Sequence, residues 1–256
     1  MSTHYGLNPY MDQTDAGRLS IATTTIPQTG LACLLDAGIS SSYSGTGNTW
    51  YDISGNSRHF NWYSTPVYTP TAGSAYFKVL GNLGTGPASN SFGITNTSGY
   101  TILFAMKQIT LATSGAFQFY SSNGAAGTAQ ARGLFSHCSW SDGEVYFDQG
   151  GCCGTDTRIS VVSSTTNWNV WGFRRLANSS TRDIFKNGVS LVQSSATAVD
   201  INLNAVPATI GSTAEVSAIG ASTWDSIIGC FIVYNRGLTN IEMKNVSGVY
   251  QKRYQS

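Results

Sequence analysis

The stretch "RDIFKNGVSLVQ", residues 182–193, places Asn187-Gly188 between two runs of strand-prone residues. Both central residues of a two-residue hairpin loop adopt positive φ, which Asn and Gly tolerate, so this pair predicts a hairpin joining Arg182–Lys186 to Val189–Gln193. A tight hairpin forces antiparallel pairing. Asp142-Gly143 gives the same signal inside "HCSWSDGEVYFDQGGCCGTDTRI", residues 137–159.

Outward from these hairpins, short apolar or alternating runs recur between clusters of Gly, Ser, Asn and Thr. They predict strands at Leu31–Asp36, Arg58–Tyr63, Ala75–Leu80, Tyr100–Gln108, Ala116–Tyr120, Gly133–Trp140, Glu144–Asp148 and Arg158–Ser163. Further strands follow at Val170–Leu176, Ala208–Gly211 and Ile227–Tyr234. Only the C-terminus reads as helix. Thr239-Asn240-Ile241-Glu242 is a capping box, and Ile241, Val246, Val249 and Tyr250 form its apolar stripe. The fold class is all-β, an antiparallel sandwich with a short C-terminal helix. Residues 1–29 lack periodicity and read as an extended arm before a sandwich over 30–256.

Composition narrows the function classes. The 256 residues are 41% hydrophobic and 12% aromatic but only 11% charged, far below the usual quarter. Ser, Thr, Asn and Gly supply the polarity, as in carbohydrate binders, secreted proteins and virion components. A net charge of +1 offers no electrostatic basis for binding nucleic acid or an anionic membrane. The apolar run Ile227–Val233 has the length of a buried strand, and the N-terminus shows no export signal. With five cysteines, an odd number, at least one is unpaired within the chain, and a reducing cytoplasm would leave most of them as thiols.

Three further segments carry a resemblance. "GLACLLDAG" (30–38) followed by "YSGTGNTWYDISGN" (43–56) resembles the opening of laminin-G-like, concanavalin-A-like domains in tailed-bacteriophage virion proteins. "IGCFIVYNRGLTNIE" (228–242) is similar to the last strand and following helix of that family, and "WSDGEVYFD" (140–148) to a segment found in some of its members. The resemblance implies a concanavalin-A-like jelly roll and a non-enzymatic structural or accessory role on a capsid or tail, assembled in the host cytoplasm and touching host glycans. Other virion proteins would then be its partners through the arm, with Tyr5, Tyr10, Leu19 and Ile21 as attachment residues, and self-association stays open. A dedicated glycan-binding adhesin is the alternative, and a depolymerase a further one. The family's acidic residues in the last strand, used by some members for calcium, are replaced by Gly229 and Cys230, so no cofactor is expected. Asp36, Asp52 and Asp225 are the remaining positions for a calcium site. Short polar side chains flanking Ser54-Gly55 favour a turn-forming role for Asp52 and Asn56 over a ligand role.

Catalytic chemistry finds little footing. Only three glutamates occur, and Glu242 belongs to the helix cap. Glu144 and Asp148 share a strand face, yet four residues of extended chain separate their Cα atoms by about 13 Å, whereas glycosidases hold their carboxyls about 5–9.5 Å apart. His137 and Cys138 are adjacent on a strand and therefore point to opposite faces. His137, Cys138, Cys152 and Cys153 lack the Cys-x2–4-Cys spacing of structural zinc sites. Small buried thiols filling a loop are preferred to zinc there, and a disulfide between Cys152 and Cys153 ranks third. For sugar binding, the alternation sends Glu144, Tyr146 and Asp148 to one outward face, an aromatic flanked by carboxylates, with Trp140 and Trp224 as further aromatic candidates.

Overall fold

The structure is a computed structural model that describes residues 26–255 apart from 72–73, 112, 125–127, 129–130, 195–196, 198 and 214–221. Tyr5, Tyr10, Leu19 and Ile21 lie outside the described residues.

Sixteen strands, one α-helix and a short 3-10 turn at Ser89–Phe92 are present among the described residues. The strands are β1 (Leu31–Asp36), β2 (Thr49–Trp50), β3 (Phe60–Trp62), β4 (Val67–Thr69), β5 (Tyr76–Lys78), β6 (Gly84–Ala88), β7 (Tyr100–Gln108) and β8 (Ser114–Tyr120). The rest are β9 (Arg132–His137), β10 (Glu144–Gln149), β11 (Arg158–Val162), β12 (Asn169–Arg175), β13 (Arg182–Lys186), β14 (Val189–Ser194), β15 (Pro207–Thr213) and β16 (Ser226–Tyr234). Helix α1 covers Asn240–Tyr254. Each expected strand is there, its ends displaced by at most three residues. β2 and β4 were not expected because two or three residues carry no period, and β6 was not because Gly84-Thr85-Gly86-Pro87-Ala88 is rich in Gly and Pro, which strands disfavour. Its glycine is steric: a Cβ on Gly86 would lie 2.4 Å from the Phe60 ring packed across it.

All pairings are antiparallel and form two sheets. The first runs β14-β13-β12-β7-β16-β5-β4, with β1 also pairing to β16, and the second β11-β10-β9-β8-β15-β6-β3-β2. At the predicted hairpin, Asn187 and Gly188 have φ of 55° and 78°, as a two-residue loop requires.

The first sheet is buried on both faces, which explains its unbroken apolar runs. Ile102, Phe104 and Met106 of β7 point into the layer between the sheets, with Phe117 and Phe147 of the second sheet opposite. Leu103 and Ala105 point the other way, where Met243, Val246, Val249 and Tyr250 of α1 cover them. The stripe differs from expectation at Ile241, which is 73% exposed. It stands in the first turn facing water, and Met243 takes its place in the core. The capping box forms as read: Thr239 Oγ1 accepts from the Glu242 N–H (3.2 Å), and Glu242 Oε2 accepts from the Thr239 N–H (2.7 Å). Ile26 already packs in this outer core, so the described end of the expected arm, residues 26–29, lies against the sandwich.

Candidate binding face at the β9–β10 hairpin

With α1 covering the first sheet, the second sheet offers the remaining outer face. Side chains on it form one cross-strand row through all eight strands: Thr49, Asn61, Thr85, Thr209, Gln118, Phe135, Asp148 and Arg158. The row escapes sequence reading because each strand contributes a single residue to it. Gln118 is fully buried, and neither end of its amide has a hydrogen-bond partner among the described residues.

The row crosses the β9–β10 hairpin before it ends on β11. Gly143, at φ 83°, turns it, and the Trp140 N–H donates to the Glu144 carbonyl (2.8 Å). Asp142 locks the turn by accepting from the Glu144 N–H at Oδ1 (2.9 Å) and from the Tyr146 hydroxyl at Oδ2 (2.8 Å). Burial opposes ionisation of Asp142, but these hydrogen bonds outweigh it and hold its carboxyl below the ordinary value. Burial and the Asp142 carboxylate together push the Tyr146 phenol up.

His137 sits beneath, its ring 4.2 Å from that of Trp140, 4.4 Å from Phe135 and 6.0 Å from Tyr146. Its Nδ1 lies 2.7 Å from the Ser114 carbonyl, which can only accept, so the proton is on Nδ1. Burial drives the imidazole pKa down to about 3, against the pull of that carbonyl, so His137 is neutral. Cys138 points to the opposite face, into the inter-sheet core, as adjacency on a strand requires.

The three residues expected on one outward face differ in what they can offer. Glu144 and Tyr146 are partly exposed. Asp148 is fully buried, with Arg132 Nη1 at 2.8 Å and Arg158 Nε and Nη2 at 2.5 and 2.7 Å. Two guanidiniums neutralise it, so its expected role as a ligand contact is corrected to that of an anchor for Arg158, whose guanidinium lies 4.5 Å from the Tyr146 ring centre. Trp140 is partly exposed on this face. Trp224 is corrected: it is fully buried, its ring packs on Phe104 at 6.2 Å, and its Nε1 donates to the Cys138 carbonyl. Beside the hairpin a cleft of about 240 Å³ is lined by Gly143, Ser139, Val162 and the hydroxyl-rich segment 163–166.

Two of the calcium candidates, Asp36 and Asp52, are likewise corrected to structural roles. Asp36 is fully buried and bound by Arg253, Tyr250 and the Gly38 N–H. Asp52 accepts four hydrogen bonds, from the Leu34, Ser54 and Arg58 N–H groups and the Ser54 hydroxyl. It shapes the turn, with Asn56 donating to the Leu31 carbonyl. Asp225 accepts from the Thr110 hydroxyl. Cys33, Cys138 and Cys230 are buried thiols, but Cys152 and Cys153 form a disulfide, the pairing ranked last from the sequence. Gly150, Gly151 and Gly154 around it supply the unusual backbone freedom that adjacent cysteines need.

No family model matches the chain, and no curated protein matches it. Among solved structures, the binding domain of Paraclostridial Mosquitocidal Protein 1 is 14% identical at a TM-score of 0.61, over 86% of this chain and 52% of that one. The receptor binding domain of botulinum neurotoxin C/D mosaic serotype is 12% identical at 0.62, over 87% and 52%. A Trypanosoma rangeli sialidase mutant displaying trans-sialidase activity is 12% identical at 0.64, over 93% and 37%. The chain thus spans about half the length of the two binding domains and little more than a third of the sialidase. At such identities the likeness is one of fold: the chain is a concanavalin-A-like β-sandwich.

Proposed function

We propose that the chain is a non-enzymatic recognition module that binds glycans at the β9–β10 hairpin. The observation that carries this reading is the pairing of two partly exposed aromatics, Trp140 and Tyr146, with polar groups already fixed around them. Asp142 and Arg158 hold Tyr146 in place, and Glu144 stands two residues away on the same face of β10. Sugars present an apolar ring face to an aromatic and hydroxyls to flanking carboxylates, and a preorganised site keeps the ordering cost low. The non-enzymatic reading is supported by the enclosure of Asp148 between Arg132 and Arg158, which leaves Glu144 without a free carboxyl partner on its own strand. Two structurally similar chains are described as binding domains of toxins and a third as a sialidase, which fits a sandwich that meets cell surfaces.

The tailed-phage setting, a capsid or tail component displaying this face to host glycans, rests on the quoted sequence motifs. Electron microscopy of particles carrying a labelled chain tests that setting. A glycan array tests the binding itself. Wild-type protein, with and without calcium, retains a defined set of glycans unhydrolysed, and Trp140→Ala abolishes retention of those without an acidic sugar while the thermal unfolding midpoint is kept. Absence of any retained glycan at high protein concentration overturns the reading.

A further inference from the structure

A second aromatic site lies at the far end of the first sheet. Lys107, at the end of β7, Asn167 and Trp168 just before β12, Asn169 at its start, and Tyr254 and Gln255 at the end of α1 line a cleft of about 420 Å³. The Trp168 indole stacks on the Tyr254 ring at 4.3 Å, 21° from parallel, with Tyr76 of β5 at 5.8 Å. Tyr254 is held from behind by its hydroxyl donating to the Ala75 carbonyl (2.9 Å). Its place depends on Gly229, where a Cβ would come within 2.0 Å of the phenol oxygen. The bare glycine backbone at this position thus leaves room to seat the aromatic.

The polar lining is as specific as the aromatic one. Gln255 Nε2 donates to the Trp168 carbonyl (2.6 Å), and Asn169 is fixed by donating to Asn167 and accepting from Asn187. Lys107 has no ion pair or hydrogen bond among the described residues, and no lining residue bears a negative charge. Among the described residues its ammonium is thus an unpaired cation beside an aromatic wall and three carboxamides. We infer that this cleft binds a pyranose carrying an anionic substituent, with Trp168 against the ring face, the carboxamides on the hydroxyls and Lys107 on the acid.

The site shares no residue with the hairpin face, so the two readings fail separately. Methyl β-D-glucuronide and methyl β-D-glucoside serve as anionic and neutral probes, and the Trp168 indole N–H resonance, assigned by its loss in Trp168→Phe, serves as the local readout. Glucuronide is expected to shift that resonance saturably and to bind at least tenfold more tightly than glucoside. Lys107→Met is expected to bring the two affinities together at an unchanged thermal midpoint. Asn167→Ala, an exposed change that spares the core, is expected to weaken both sugars, and Trp140→Ala to leave both untouched. No saturable shift with glucuronide, or equal affinity for the two sugars in wild type, overturns the inference.

Discussion

Arg253, in the last turn of α1, donates through one nitrogen to both carboxylate oxygens of Asp36, at 2.5 and 2.6 Å, across 217 residues of sequence. Both side chains are at most 2% exposed. Asp36 ends β1 and Arg253 ends the helix, so a single ion pair joins the first strand to the last element over the outer core. Tyr250 completes it from one turn earlier, its hydroxyl 3.2 Å from Asp36 Oδ2.

Removing one partner of such a pair leaves an uncompensated buried charge. Asp36→Asn is expected to cost about 3–5 kcal/mol, read as a lowered urea midpoint. Asp36→Leu combined with Arg253→Met is expected to recover most of that loss, since no charge then remains buried. A single variant as stable as wild type would show that the pair carries no weight.

The helix cap gives a pH signature. Arg236 donates to both oxygens of Glu242, at 3.0 and 2.6 Å, and this, with the capping N–H, brings the Glu242 pKa from 4.5 down to about 2. A carboxylate whose folded pKa is depressed stabilises the fold fully above its unfolded value and loses that contribution as pH falls through the folded one. Glu242→Gln is therefore expected to be less stable than wild type at pH 7, with the gap closing between about pH 4.5 and pH 2. A gap of constant size across that window would assign the effect to packing.

Gly229→Ala tests the seat of Tyr254. The added methyl meets the phenol oxygen at 2.0 Å, and the Ala75 hydrogen bond holds the ring against retreat. A loss of about 1–3 kcal/mol is expected, as for other overpacked cores. Tyr254→Phe in the same chain removes the obstructing atom and should restore part of it. Equal losses in the single and double variants would place the strain elsewhere.

Gln118 offers the opposite expectation. Its amide is buried without partners among the described residues, so it bears a desolvation cost with no return. Gln118→Leu, of similar size, is expected to keep the thermal midpoint or raise it. A fall of more than a few degrees would mean that the amide is satisfied in solution.

The sequence made the fold legible where signals are local. The Asn187-Gly188 turn, the Thr239–Glu242 cap and the alternation in Glu144–Asp148 each depend on residues within a few positions, and each forms as read. The site was legible only in part. The alternation placed Asp148 on the right face, but its two arginines come from β9 and β11, and nothing within β10 announces them. Trp224 shows the same limit, since an aromatic before a strand reads alike whether it faces water or Phe104. Gly229 is the sharpest instance. The sequence shows only a glycine inside a strand, and only the packing of α1 shows that Tyr254 needs the space.

The helix that closes the first sheet also decides how the molecule is best held. Ile26, the first described residue, and Tyr254, near the last, belong to the same layer outside that sheet. Described chain thus enters and leaves on one side, while the hairpin face lies across the sandwich. A tether at the C-terminus would present Trp140 and Tyr146 away from the support, whereas the Trp168 cleft, beside Tyr254, would sit close to it. Surface capture through the C-terminus therefore suits the hairpin face and crowds the Trp168 cleft.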